Sequence, residues 1–537
     1  MDDPPPPPTT TTGWWSGAVG YQVYVRSFAD STGDGVGDLG GVLAHVDHIA
    51  DLGVDYVWLN PVFPSPGLDH GYDVSDYTTI ADEMGGMPAF EALRDALHDN
   101  GIRLVMDVVP GHTSSAHPWF VSARRGRDAP HRDFFVWRDP APDGGPPTNW
   151  ESVFGGSAWE YDERSGQYWM HRFLPDQPDL DWRNPAVRAA FDDILSLWFE
   201  RGLDGFRVDV AQGLLADPEW ADVPDVPPDM PRAQGNDLRL SGFMGRPETP
   251  ALYRSWRRIA DRHDALLLGE VALSSPEAVA AYLSDDLLHR AFFLPLQHTG
   301  WNRDEIAEML VGAVAAGGGR FAWPQSSHDD PRAATRFGGG ATGTRRALAF
   351  LHLVATLPGN PVILAGDELG LENGLIPAGL AQDPVSGRGE TLVASRDGSR
   401  TPMPWDAERP NMGFTTGTPW LPLGANRAAA DTVAHQRDDP GSPLQRTRRL
   451  LETRRGLTGM LATDDVTWLD LGPDLLGLRR GDVVVVCNFG PSTTVDVGRC
   501  RLLVASSDDA VVDDRDGVSI GRDTTVLLRA AEAVTSP

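Results

Sequence analysis

Period-two alternation and helical spacing take turns along most of this chain, which is the pattern of strands interleaved with amphipathic helices. Strands are predicted at 21–28 (YQVYVRSF), 54–60 (VDYVWLN), 102–109 (IRLVMDVV), 205–210 (GFRVDV), 265–271 (ALLLGEV), 289–295, 320–325 and 361–366. Helical patterns fall between them, as at 39–53, 89–101 and 345–357. Eight such strands predict a parallel sheet with right-handed crossovers, and eight is the number that closes a (β/α)8 barrel.

Three intervals are too long for plain connections: 111–184, 212–249 and 367–442. Long stretches without periodicity are usually functional loops or small subdomains. Beyond a helix near 443–455 the pattern shifts to short apolar strands (VTWLDL, LLGLRR, DVVVVCNF, TTVDV, RLLVAS, TTVLLRA) with no helices between them, which predicts an antiparallel β-domain. The expected organisation is α/β. A disordered Pro/Thr tail (1–13) precedes a catalytic TIM barrel (14–110 and 185–457). A subdomain (111–184) is inserted after the third strand, and a β-sandwich follows at 458–537.

Composition narrows the partners. A formal net charge of −30 over 537 residues repels nucleic acid and anionic membranes, so neither is expected as a partner. Only Cys487 and Cys500 occur, too few for a disulfide framework, which fits a reducing compartment. The opening MDDPPPPPTTTTG has no basic and apolar regions of a secretory signal, and no apolar run is long enough to span a bilayer. A soluble, cytoplasmic protein is expected; its oligomeric state is not legible here.

The chemistry starts at GFRVDV. Phe206, Val208 and Val210 alternate along the predicted strand, which sends Arg207 and Asp209 to its other face. Asp107 ends the third strand, Asp209 the fourth and Glu270 the fifth, while Asp329 follows the seventh in SSHDDPR. Active sites of such barrels lie at the carboxyl ends of the strands, so four acids converge on one mouth. One ionised carboxylate can attack a glycosidic carbon while a protonated one donates to the leaving oxygen. Arg207 is placed to keep Asp209 ionised.

These segments resemble the α-glucosidases and oligo-1,6-glucosidases of the α-amylase family. DGFRVDVA resembles the nucleophile motif, LLGEV the acid/base motif and SSHDDPR that of the third carboxylate. DVVPGHTS, QPDLDW, GNPVILAGDELGL and SRDGSRTPMPWD stand at the expected places between and after them. The resemblance implies Asp209 as nucleophile, Glu270 as general acid/base and Asp329 as the carboxylate gripping the 2- and 3-hydroxyls. It implies sugar contacts from His112 and His328, from Asp69 and Tyr72 on the non-reducing glucose, and from Phe173 as an aromatic wall. Arg396, with Arg400 as second choice, is expected to meet Asp69. Val210 is the residue type found after the nucleophile in isomaltose-cleaving relatives. Gly111 and Ser327 stand where the family usually has Asn, and Gln212 is a smaller departure.

DSTGDGVGD (30–38) places Asp30, Thr32, Asp34 and Asp38 at positions 1, 3, 5 and 9 of a calcium-binding loop, with Gly35 at the turn and the Val36 carbonyl as a further ligand. No bidentate Glu follows, so it is not a full EF-hand. The resembling glucosidases carry calcium here, and a structural Ca2+ is expected.

The leading expectation is a retaining, exo-acting α-glucosidase acting on a small α-glucoside or oligosaccharide. A transglucosidase or sugar isomerase of the sucrose isomerase or trehalose synthase type would use the same glycosyl-enzyme. A third reading, a non-catalytic relative such as a transporter-associated ectodomain, would lack these carboxylates and carry a membrane anchor.

Overall fold

The computed structural model describes residues 13–530 except 231, 378, 387, 389, 390 and 514–516, so most of the expected N-terminal tail lies outside the described residues. Eight parallel strands close a barrel: Gly20–Val23, Tyr56–Leu59, Arg103–Val108, Gly205–Val208, Leu266–Gly269, Arg290–Phe292, Phe321–Pro324 and Asn360–Leu364. The last strand pairs back onto the first, with Tyr21 opposite Ile363. Each falls within one of the eight predicted segments, or overruns it by a residue.

Alternation along these strands builds two separate layers. Residues such as Val57, Leu104, Phe206, Val208 and Leu267 point outward and join the core beneath the helices. Tyr56, Trp58, Val105, Leu266, Leu268, Phe292 and Val362 fill the barrel interior. Arg207 is in register with Asp107 on one side and Leu268 on the other, so it stands on the inward face, above that filling. The helix after the insertion, Pro185–Glu200, shows why the outer ring packs. Asn184 caps it by accepting from the Ala186 amide, Pro185 opens it, and Val187, Phe191, Ile194, Leu195 and Trp198 recur at helical spacing as its buried stripe.

The 111–184 interval carries a three-stranded antiparallel sheet (Trp137–Arg138, Trp159–Asp162, Gln167–Met170) with Gln167–Met170 in the middle. Trp150, Trp159, Trp220 and Phe243 pack together, which fastens the 212–249 interval onto this insertion.

After the helix Pro443–Arg455 come two antiparallel sheets. One has five strands, with Val483–Asn488 and Thr524–Ala530 side by side inside it, and the other has three (Thr493–Val495, Gly517–Ile520, Ala510–Asp513). Val484, Val486, Val526 and Leu528 face Val495, Val518 and Ile520 between the sheets. Val483, Val485, Cys487 and Leu527 face the core shared with the barrel. The continuous VVVVC run is apolar because both faces of that strand are covered. The hairpin of 510–513 and 517–520 is absent from the sequence expectation.

Among the described residues, no helix is long and apolar enough to cross a membrane.

Candidate active site

Strand four stops at Val208, and this corrects the alternation read through Val210. Val210 sits at φ 41°, ψ 51°, in the left-handed region that a β-branched residue rarely enters. The kink turns the Val210 amide across the mouth, where it donates to Glu270 Oε2 at 2.9 Å. The residue after the proposed nucleophile therefore orients the proposed acid.

Arg207 joins three acids. Its Nη1 lies 2.8 Å from Asp209 Oδ1 and 3.2 Å from Asp107 Oδ1, and its Nη2 lies 2.8 Å from Glu270 Oε2. All four side chains are buried or nearly so, and Arg207 also stacks 5.0 Å above the Trp58 ring. Glu270 and Asp209 are within hydrogen-bonding reach of each other. Burial pushes both carboxyls above their ordinary range, against the opposing pull of Arg207; Asp329 adds to the rise on Glu270. The expected pull of Arg207 on Asp209 is present as a lowering contribution, but it does not set the net direction. One cation is divided among three carboxyls, and desolvation outweighs its share.

Asp107 anchors the floor. It accepts from Trp58 Nε1 (3.0 Å) and from the Tyr72 hydroxyl (2.8 Å), and burial pushes its carboxyl up to about 7. Because the Tyr72 proton goes to Asp107, its oxygen accepts from Asn60 Nδ2 at 2.8 Å. His328 Nε2 lies 2.7 Å from that same oxygen and 3.2 Å from Asp329 Oδ2, and its ring stacks on Tyr72. Gln22 Nε2 lies 2.8 Å from His328 Nδ1, and Asn60 Nδ2 lies 3.2 Å from its Nε2. Burial pushes the His328 imidazole far below its ordinary range, against the opposing pull of Asp329.

Asp329 is the more open carboxylate, with about a third of its side chain exposed. Burial raises its carboxyl, but His328, Arg400 and Arg396 together hold it well below the usual range. Arg400 Nη2 lies 2.8 Å from Asp329 Oδ1 and Arg396 Nη1 lies 3.3 Å from it.

Arg396 also reaches the opposite wall. Its Nη2 donates to Asp69 Oδ1 at 3.1 Å, and its guanidinium lies 5.1 Å from the Phe154 ring of the insertion. Of the two arginines named from sequence, Arg396 meets Asp69 and Arg400 serves Asp329. Gln177 Nε2 contacts both Asp69 Oδ2 and His112 Nε2 at 3.1 Å. The His112 imidazole is pushed down to about 3 by burial. Phe173 is half-buried, 5.3 Å from the His112 ring and 5.2 Å from Phe154.

The two departures have local partners. A Cβ at Gly111 would stand 3.2 Å from Arg172 Nη1, and Arg172 is a buried cation 3.5 Å from the buried Asp179. Gly111 leaves room for that guanidinium. The Ser327 hydroxyl donates to Gln297 and accepts the Asp329 amide at 3.2 Å, so it braces the third carboxylate from behind.

Gln22, Asn60, Gln177 and Asp383 escaped the sequence reading. Gln177 opens QPDLDW and Gln22 and Asn60 lie on or beside barrel strands, so motif and strand-end position were the available signals. Asp383 lies in an interval without periodicity and gave none.

The 30–38 loop offers only oxygen donors, the chemistry a hard cation needs. Its carboxylates are occupied by the loop itself. Asp30 accepts the amides of Thr32, Gly33 and Gly35 and the Thr32 and Thr415 hydroxyls, and Asp34 accepts the Val36 amide. Asp38 turns to Ser31 and to the Gly41 amide, capping the helix Leu39–Leu43. Among the described residues, no three Asp, Glu, His or Cys side chains are grouped to hold a metal.

Known proteins place this architecture. Residues 22–461 match the alpha amylase catalytic domain. The chain is 33% identical over 523 residues to the oligo-1,6-glucosidase of Parageobacillus thermoglucosidasius, covering 89% of this chain and 91% of that one. It is 38% identical over 492 residues to a probable alpha-glucosidase of Rhizobium meliloti, covering 89% of each. Among solved structures it resembles the alpha-glucosyl transfer enzyme XgtA, with a TM-score of 0.90 and 34% identity over 97% of this chain and all of that one. The chain belongs to the α-amylase family of glycoside hydrolases.

Proposed function

We propose that this enzyme is a retaining, exo-acting α-glucosidase that removes terminal α-1,4- or α-1,6-linked glucose from short oligosaccharides. The observation that carries the proposal is Arg396, which bridges Asp69 and Asp329 beside the Arg207-linked pair of Asp209 and Glu270. In this reading the bridge would close the space beyond one glucose, as an enzyme acting on a chain terminus needs. Charge-assisted hydrogen bonds from Asp69 and Arg396 suit the 4- and 6-hydroxyls of the terminal glucose.

In the first step Asp209 attacks C1 of the bound glucose. Glu270 gives its proton to the departing glycosidic oxygen, so the C1–O bond breaks as the C1–carboxylate bond forms. In the second, Glu270 takes a proton from water, whose oxygen displaces Asp209 from C1. Asp329 holds the 2- and 3-hydroxyls while the ring flattens. Two displacements at one carbon retain the α configuration.

A second reading, transfer of the glucosyl group to another sugar or alcohol, is favoured by the likeness to a glucosyl transfer enzyme. A structural calcium ion in the N-terminal loop is kept in the proposal on the all-oxygen donor set of Asp30, Thr32, Asp34, Asp38 and the Val36 carbonyl, which would have to give up hydrogen bonds they now make to take it. The two cysteines, both free, suit the cytoplasm. Product analysis on maltose, isomaltose, sucrose, trehalose and starch tests the main proposal. Glucose from the short α-glucosides and none of consequence from starch supports it. Sucrose or trehalose isomers as main products would favour transfer.

A further inference from the structure

Arg396 can close the pocket only if its guanidinium is held in one orientation, and the residue that holds it lies outside every motif. Asp383 is buried, 3% exposed, in the interval after the eighth strand. Its Oδ2 accepts from Arg396 Nε at 2.9 Å and from the Arg396 backbone amide at 2.5 Å, and its Oδ1 accepts from Nη2 at 2.9 Å. This two-pronged grip uses the Nε edge of the fork. It leaves Nη1 for Asp329 and the second Nη2 hydrogen for Asp69.

The grip is reciprocal. Asp397, next to Arg396, accepts through Oδ2 the amides of Gln382 (2.8 Å) and Asp383 (3.2 Å). The Gln382 carbonyl in turn lies 3.1 Å from Nε2 of His70, the neighbour of Asp69. Two acids thus tie 382–383 to 396–397, and His70 ties that clasp to the loop carrying Asp69.

We infer that Asp383 is a specificity-determining positioning residue, setting the Arg396 fork that walls off the pocket behind the terminal glucose; this rests on the exo-glucosidase reading above. Asp383 has no spare edge for a substrate. It acts through Arg396, on binding of the chain end more than on bond cleavage.

The test compares wild type, Asp383→Asn, Asp383→Ala, Arg396→Ala and the Asp383→Ala/Arg396→Ala double variant on maltose, isomaltose and a maltooligosaccharide ladder. Thermal melting and circular dichroism confirm that each is folded. Asp383→Ala is expected to raise KM for the disaccharides at least about tenfold while kcat changes less than about threefold. Its preference for short over long chains should flatten. Asp383→Asn, of equal shape but without the charge, should fall between and serves as the deciding variant where Asp383→Ala does not fold. The double variant should be no worse than Arg396→Ala alone, because the two act as a unit. Additive losses, or a fall in kcat with KM and chain-length preference unchanged, would overturn the inference. So would wild-type behaviour in Asp383→Asn and Asp383→Ala. A wild type that releases no glucose from any short α-glucoside fails the underlying reading instead.

Discussion

Asp69 and Arg396, 327 residues apart, meet at 3.1 Å across the mouth of the barrel. Both are almost fully buried, and the contact joins the loop after the second strand to the interval after the eighth. Asp69→Ala removes a partner for the substrate and leaves the Arg396 charge with less compensation. A loss of about a hundredfold in kcat/KM on disaccharides is expected, equivalent to about 2.7 kcal/mol of transition-state binding. Steady-state kinetics on maltose and isomaltose check it, and a loss under about threefold would show that this wall does not touch the sugar.

Asp209→Asn keeps the shape of the side chain and, if Asp209 is the proposed nucleophile, deletes the covalent step. Turnover should fall by at least about 10³-fold in enzyme with a normal melting curve. Glu270→Gln should cripple natural substrates, whose leaving groups need a proton, and spare aryl glucosides with good leaving groups. Equal losses on both substrate types would remove Glu270 from the acid role.

The pH profile follows from burial. Both carboxyls of the Asp209–Glu270 pair are pushed upward, so the proton on the acid is kept to higher pH than an ordinary glutamate allows. The nucleophile must still ionise, so activity rises on the acid side and falls as the acid loses its proton. Asp329 is held low and ionised throughout, and contributes neither limb. In Glu270→Gln, assayed on an activated aryl glucoside, the alkaline limb should vanish while the acid limb stays. Persistence of the alkaline limb would assign it to another group.

Calcium, if bound by the 30–38 loop, binds only the native fold and adds stability by mass action. Exhaustive chelation should lower the melting temperature and leave kcat of the still-folded enzyme nearly unchanged. An unchanged melting temperature would mean that the hydrogen bonds already made by Asp30, Asp34 and Asp38 suffice to close this loop.

The barrel was legible because its signal is periodic. Phe206 and Val208 alternate with Arg207 strictly enough to put the cation on the face opposite theirs from sequence alone. The period failed at Val210, where a left-handed kink breaks the alternation and turns the Val210 amide toward Glu270. The strand-end acids were legible from position, and Asp69 and Arg396 from motif together with closure of the barrel. Gln22, Asn60 and Gln177 were passed over, because a neutral amide carries no charge to mark it even where a motif or a barrel strand places it. Asp383 shows the same limit more sharply, since its grip on Arg396 depends on the path of an irregular segment. The competition for Arg207 was also invisible. Sequence names one neighbour for Asp209, and only the closed barrel brings in Asp107 and Glu270.

Double displacement at the proposed closed-ended pocket fixes the configuration of the first product. Proton NMR of the earliest glucose released from maltose or isomaltose reads the anomer before mutarotation. The expected result is α-glucose from the non-reducing end, with no longer fragments accumulating from maltooligosaccharides. β-Glucose as the initial product would contradict the nucleophilic role of Asp209 and, with it, the mechanism.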